Sequence, residues 1–491
     1  MQDLSLFSQS SSSLPNRPLA NRPALTSQPR TRFFVCLLAL AAATLIATGC
    51  GTSSDGANTT GGVTGPAFVV GTDAPLASVT SFAVQIESID AITSTGSSVS
   101  LLSGTPTVDF ARFNGLQTLL DMNDVPVGTY TSIAVTLGPA TIGYLNQVSG
   151  AAPTIATEAA TYTTSSQTPT ITIALASPLI VTAAQPIGLH FDFDLAKSIQ
   201  VTSGAITGEV TPTFNLGVVA TGDSGAYIDQ FDAAVVSVDA AASSFVVTGP
   251  HGRDFTISTS GSTEWDNGES ISSLTTSSIV RVSGILDKVD ATIDADEVAI
   301  LSQNGFYADG QITYVTPASG AATSFDLYVR GLLPTTTGLT LGQIAQINLT
   351  GSEKFFIYWM HNPLTQFLFN SSSLLPGQAV AVGGPASGAT NANAVTVNRV
   401  SLHHWGYNGT VVPGSINTSA GTFQMQVTGF AGLLVPETVT VYVSSVTSFR
   451  DGLTATSSLG ANENVRVVGL LVKNPSNGQV VLLAHYVDEL D

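Results

Sequence analysis

The sequence predicts an all-β chain: an N-terminal antiparallel β-sandwich followed by three small β-barrel repeats. Three observations carry that expectation. Apolar and polar residues alternate in run after run, the period-two pattern of half-buried strands. Helical periodicity is weak throughout; its best stretch, Phe110 to Leu120, is interrupted by Gly115. Beyond Gly225 one pattern, Ser-Leu-x5-Val-x-Val-x-Gly, occurs three times. Composition agrees, because charged residues are only 10% of the 491 while Gly, Ser, Thr, Ala and Val dominate, and Val and Thr suit pleated, half-buried surfaces.

Residues 1–49 read as a signal peptide. Arg17, Arg22, Arg30 and Arg32 precede an apolar run from Phe33 to Ala47, the order of a basic n-region and an h-region. The run is shorter than the ~20 apolar residues a spanning helix needs, and no basic flank follows it. It ends Ala47-Thr48-Gly49-Cys50, which resembles the bacterial lipobox, with Ala at position 47 where that motif usually has Leu. The resemblance implies that Cys50 is lipidated and becomes the first mature residue. One acyl chain binds membranes only marginally, and the resemblance implies two or three. Gly51 follows the cysteine where an inner-membrane retention signal would have Asp, which favours the outer membrane. The expected location is therefore the bacterial cell envelope, with the membrane as partner through the lipid anchor. Residues 50–66 then form the lipidated cysteine and a flexible tether, since Gly51 to Pro66 is almost free of apolar residues and has a reach of roughly 20–24 Å.

Charge and cysteine usage exclude several classes. Removing residues 1–49 takes the net charge from −19 to −22, which argues against nucleic acid as a partner, since that needs a basic face. The two cysteines are Cys36, inside the signal, and Cys50. The mature chain has no thiol for a disulfide, a four-cysteine metal site or a cysteine nucleophile.

Residues 67–218 read as the sandwich. Phe82, Val84 and Ile86 alternate with polar neighbours, as do Ile133, Val135 and Leu137, then Ile171, Ile173 and Leu175, then Leu189, Phe191 and Phe193. That pattern predicts six to eight antiparallel strands. Gly71-Thr72-Asp73-Ala74-Pro75, Val108-Asp109-Phe110 with Asn114-Gly115, and Pro126-x-Gly128-x-Tyr130 resemble the bacterial family called domain of unknown function 4382. The resemblance implies an exported β-domain and brings no activity.

The repeats occupy 225–302, 305–402 and 404–491. Their shared cores are Ser273-Leu274 with Val280, Val282 and Gly284; Ser373-Leu374 with Val380, Val382 and Gly384; and Ser458-Leu459 with Val465, Val467 and Gly469. Copies one and three share an aromatic before a turn, Trp265-Asp266-Asn267-Gly268 and Phe449-Arg450-Asp451-Gly452, and Asn-Gly or Asp-Gly suits a hairpin. Short apolar strands at Val298–Leu301, Val395–Val400 and Val480–Leu483 close the copies. Five or six strands in so short a span make a small barrel or sandwich. The pattern is similar to domain of unknown function 5666, which implies an OB-like barrel and again no activity.

Copy two adds Phe355-Phe356-Ile357-Tyr358-Trp359-Met360-His361 and Phe367-Leu368-Phe369. Most of these rings are expected to pack on the barrel or a neighbouring domain. Tyr358 and Trp359 are the expected exposed contacts for a glycan or protein partner.

No catalytic set, metal site or cofactor motif is expected. Gly222-Asp223-Ser224-Gly225 matches a protease nucleophile segment only in four common residues at a domain junction. His403-His404 lacks zinc spacing and suits a surface or interdomain role. The acidic stretch from Asp287 to Glu297 lacks the spacing of a calcium loop. Asp192 and Asp194 share a strand face, where edge-strand protection competes with acid–base chemistry. The expected function is a non-enzymatic, lipid-anchored structural or binding module. The rivals are a carbohydrate- or peptide-binding protein using the aromatic insert, and an envelope hydrolase using acidic residues of the first domain.

Overall fold

The computed structural model describes residues 63–491 except 75–78, 114–116, 147–151, 184, 203–204, 221–225, 250–251, 266–268, 287–291, 304, 334–337, 359–366, 386–388, 392, 429–433, 436–437, 451 and 491. The signal peptide, Cys50 and the protease-like segment Gly222–Gly225 lie outside the described residues. The fold is all-β. The first domain stacks a four-stranded sheet, in the order Phe214–Ala220, Ile187–Asp194, Thr64–Ala74 and Thr118–Pro126, on a sheet built around Val79–Thr93 and Gly128–Asn146. Its core is a knot of phenylalanines. Phe82, Phe110, Phe191, Phe193 and Phe214 have ring centroids 4.7–5.7 Å apart, and each such pair contributes about 0.5–1.5 kcal/mol beyond its buried area.

Two features of this domain differ from the expectation. Thr64–Ala74 pairs in parallel with Ile187–Asp194, so the sandwich is not wholly antiparallel; a parallel partner needs a long crossover, and the second sheet is built within it. The strand already includes Thr64, Gly65 and Pro66, which pair with Pro126, Val125 and Asp124, so the tether ends earlier than residue 66. In keeping with its weak helical pattern, the stretch from Phe110 to Leu120 holds a single turn, Phe110–Arg112, which buries Phe110, and a strand that starts at Thr118.

The three repeats share one strand register. In the first, Tyr227–Asp239 pairs with Ile279–Leu286, placing Asp232 opposite Arg281. The same positions are Asp309 and Ala381 in the second repeat and Asn408 and Arg466 in the third. Repeats one and three close by parallel pairing of Ile257 with Ile293 and of Val441 with Leu482. In repeat two the final strand comes in two pieces, Ala394–Thr396 and Arg399–His403, and Ile347 meets Val395.

This register explains the motif. Each Ser-Leu closes a tight turn: Ser273, Ser373 and Ser458 accept, through Oγ, the backbone N–H of Ser270, Asn370 and Ala455 at 3.2, 2.7 and 3.2 Å. The leucines that follow plug the barrels, being 7%, 7% and 6% exposed. The valines point inward and are buried. A Cβ on Gly284 or Gly469 would strike the carbonyl of Asp294 or Leu483, where the final strand bulges against them.

The register also corrects two details. Val298 and Val400 are equivalent to Val487, opposite Val282, Val382 and Val467, so Val480–Leu483 is the earlier part of a longer strand. That strand is apolar along most of its length, which lets a short window slide. Glu264–Trp265 and Ser448–Arg450 pair in parallel with the final strand, and neither has an antiparallel hairpin partner among the described residues; Asp266, Asn267, Gly268 and Asp451 of the two expected turns lie outside them. Lys354–Ile357 likewise pairs in parallel with the final strand in repeat two. Phe355 is therefore the counterpart of Trp265 and Phe449, and the insert begins only after Ile357.

Gly61–Asp491 is one unit, not a row of separate beads. Thr64–Ala74 is apolar on both faces: Ala67 and Val69 enter the sandwich core, while Phe68 and Val70 join the first barrel's core beside Ile228, Phe231 and Phe255. A strand apolar on both sides is normally buried on both. Leu470, Val472 and Leu483 of the third barrel share a cluster with Val380, Phe367 and Leu402 of the second.

Candidate functional site

The first domain and the first two barrels meet at a buried charged junction. Strand alternation turns Val280 and Val282 into the first barrel, so Arg281 between them points out, into the neighbouring domains, where its side chain is 1% exposed. Its Nε and Nη2 donate to both carboxylate oxygens of Asp232 at 2.6 and 2.8 Å, the bidentate geometry that makes guanidinium–carboxylate pairs strong. Nη2 also donates to Tyr307 Oη at 2.8 Å and to Asp309 Oδ2 at 3.2 Å, both from the second barrel. Tyr307 in turn donates to Asp232 Oδ2 at 2.6 Å. Arg112, from the turn after the first domain's Asp109, adds a contact to Asp232 Oδ2 at 3.2 Å and approaches Asp309 Oδ1 at 3.9 Å.

Two arginines therefore balance two aspartates. Burial pushes the Asp232 carboxyl up, but Arg281, its hydrogen bonds and Arg112 together hold it below the usual carboxylate range. Burial also drives the Tyr307 hydroxyl well above its ordinary value, so it stays a donor. Arg281 Nη1 lies 3.2 Å from His403 Nδ1. A guanidinium only donates, so Nδ1 accepts and the ring proton sits on Nε2. Burial, then Arg281 and Arg399, keep His403 neutral, well below its ordinary pKa.

The junction forms one end of a cleft of about 420 Å³ shared by all three domains. Arg112, Thr118 and Leu119 come from the first domain, Phe231, Asp232, Thr248 and Gly249 from the first barrel, and Tyr307, Leu332 and Leu333 from the second. Of the charged groups, Asp232 accepts from Arg281, Tyr307 and Arg112. Arg112 is the more exposed of the two cations, its side chain 30% exposed against 1% for Arg281, and is paired with Asp232 at 3.2 Å and near Asp309 at 3.9 Å. The chemistry on offer is a partly exposed guanidinium, paired on one side with Asp232, beside the apolar side chains of Leu119, Phe231, Leu332 and Leu333.

A second polar strip continues from this junction. Tyr358 is 4% exposed, and its hydroxyl lies 2.9 Å from Ser283 Oγ of the first barrel. Its ring packs on His403 and His404 at 4.9 and 6.0 Å, and His404 stacks on His485 of the third barrel at 4.7 Å. Tyr358 is thus not an exposed ligand contact; it is buried between barrels because its strand edge faces the first barrel. Trp359 lies outside the described residues. Phe367 and Phe369 are buried, with Phe369 edge-on to Phe355 at 5.5 Å. The paired histidines have the interdomain position that their lack of metal spacing suggested, and no group of three metal-binding side chains is present among the described residues.

Glu297, on the final strand of the first barrel, borders the same strip. Burial, then the neighbouring Glu264, raise its carboxyl to about 8. A folded-state pKa above the unfolded value means that the fold prefers the protonated acid. Its stabilising contribution is complete below the unfolded pKa of 4.5 and is lost as pH rises towards 8. Glu297→Gln removes that loss and is expected to be about 2–4 kcal/mol more stable than the parent at pH 8, and nearly equal at pH 4.5. Urea unfolding at the two pH values measures the difference.

The aspartates weighed for catalysis have structural partners. Asp194 caps the turn Leu195–Ser198, accepting from the Lys197 N–H at 2.9 Å and pairing with its Nζ at 2.8 Å. Asp192 accepts from Asn215 Nδ2 at 3.0 Å. The junction residues were not singled out from the sequence. The signal that could have found them is an arginine inside Val280-Arg281-Val282, in a chain with only 15 basic residues.

No curated protein matches the chain. The domain of unknown function (DUF4382) matches residues 66–209 and the domain of unknown function (DUF5666) matches residues 233–299, so the N-terminal sandwich carries the first family's pattern and the first barrel carries the second's.

Proposed function

We propose that this chain is a non-enzymatic binding module of the bacterial cell envelope, held at the outer membrane by lipid on Cys50, which takes a small ligand in the junction cleft. The observation that carries this reading is a cleft of about 420 Å³ lined by the partly exposed Arg112 guanidinium together with Leu119, Phe231, Leu332 and Leu333. A guanidinium matches a carboxylate in shape and charge, and the walls suit an apolar body. The ligand class is a carboxylate on an apolar chain or ring. The carboxylates in and beside the cleft are poor candidates for a general base, since Asp232 and Asp309 already accept from Arg281. Burial of Tyr358, Phe367 and Phe369 weakens the rival reading, a glycan or peptide bound on the aromatic insert.

Titration calorimetry with octanoate, octanol and octylamine tests the cleft. Octanoate should bind saturably and the other two should not; Arg112→Met should lose at least about tenfold in affinity, the scale of one charged hydrogen bond. Equal binding of octanol, or unchanged binding by the variant, contradicts the reading. The second reading is purely structural, with the cluster serving as a clamp between domains, and the near-complete burial of Arg281 favours it. Under it, none of the three probes binds. The anchor is tested separately: Cys50→Ser should move the protein from the membrane fraction to the soluble fraction. A variant that stays membrane-bound, together with a parent lacking acyl mass at Cys50, would overturn the anchor.

A further inference from the structure

Large apolar side chains are exposed at eight positions among the described residues: Val63, Val127, Ile180, Val236, Tyr314, Leu341, Leu368 and Val446. Three of them, Val63, Val127 and Ile180, fall at one place, the end of the sandwich where the chain enters it. The Val127 N–H donates to the Val63 carbonyl at 2.9 Å, and Thr64 is paired with Pro126, so Val63 and Val127 stand opposite one another. Gly128, which follows Val127, is paired with Val181, and Thr129 is paired with Ile180, so Ile180 lies beside Val127. Val63, Val127 and Ile180 are 66%, 45% and 54% exposed. Thr129, Pro178 and Thr182 are exposed beside them, and none of these six residues is charged.

We propose that this end of the sandwich rests on the lipid bilayer, with Val63, Val127 and Ile180 inserted at the headgroup level. The proposal rests on the lipid-anchor reading of Cys50 given above. Only twelve residues separate Cys50 from Val63, so the chain cannot carry Val63 farther than about 45 Å from the anchor. A net charge of −22 for the mature chain disfavours a basic route to an anionic surface, so apolar contact is the means left for the domain to sit on it. A lipid anchor is strengthened by a second membrane contact, and these side chains supply one where the anchor holds the domain close. The occupant is the lipid surface and not a segment of this chain.

Once Cys50 is acylated the mature chain has no free thiol, so a single cysteine can be labelled cleanly. A nitroxide is placed at Val127→Cys, at Ile180→Cys and, as a control on the third barrel, at Val446→Cys, in the acylated full mature chain bound to phosphatidylethanolamine–phosphatidylglycerol vesicles. The ratio of oxygen to nickel-chelate collisions should be at least about threefold higher at positions 127 and 180 than at 446, as expected for side chains at the acyl boundary. Equal, water-like ratios at all three positions on vesicle-bound, acylated protein overturn the proposal and leave the anchor standing. Absence of acyl mass on Cys50 overturns the anchor, and the proposal with it. Shielding at position 127 in a soluble Cys50→Ser form without vesicles shows a second protein copy on the patch, and also overturns it.

Discussion

Arg281→Met is expected to destabilise the protein by about 3–5 kcal/mol, the usual cost of breaking a buried ion pair from one side. The methionine fills most of the volume, so the loss is chiefly electrostatic: Asp232 stays 6% exposed without the guanidinium that grips both its oxygens. The double variant Arg281→Met with Asp232→Leu should recover most of that loss. It leaves Arg112 and Asp309, 3.9 Å apart, as a balanced pair, and an apolar replacement of a whole buried pair is often neutral. Urea unfolding of the two variants measures both numbers. A single variant within about 1 kcal/mol of the parent would mean that water reaches Asp232, because an exposed pair is worth no more than that.

Leu274→Ala, Leu374→Ala and Leu459→Ala should each cost about 2–5 kcal/mol, the range for emptying a buried leucine site. The three costs should be similar, because each leucine follows the same serine-capped turn and plugs the same end of its barrel. Ser-to-Ala changes one residue earlier should cost less, about 1 kcal/mol, the usual worth of one such hydrogen bond. A near-zero effect at one leucine, with the other two large, would show that its barrel is not built like the others.

Much of the fold was legible because strand patterning is local. Val280-x-Val282, Val380-x-Val382 and Val465-x-Val467 each announce one buried face, and the glycine two places on marks where the final strand comes too close for a side chain. The parallel partner of Thr64–Ala74 was not legible, since its pairing with Ile187–Asp194 depends on a crossover through the other sheet. The site was less legible still. Arg112, Asp232, Arg281, Tyr307 and Asp309 come from three domains and meet only through tertiary packing. No spacing rule joins them. Tyr358 shows the same limit from the other side: alternation places it on a strand face, but its burial depends on Ser283, His403 and His404 from other strands.

The sandwich and the barrels pack as one unit across the charged junction, and the cleft exists only while three domains hold their positions. The most direct measurement is the distance distribution between nitroxides at Ile180→Cys, on the sandwich, and Val446→Cys, on the third barrel, by double electron–electron resonance. The parent should give a single narrow peak, and Arg281→Met should broaden it. A broad distribution in the parent, unchanged by that substitution, would contradict that packing and the cleft with it.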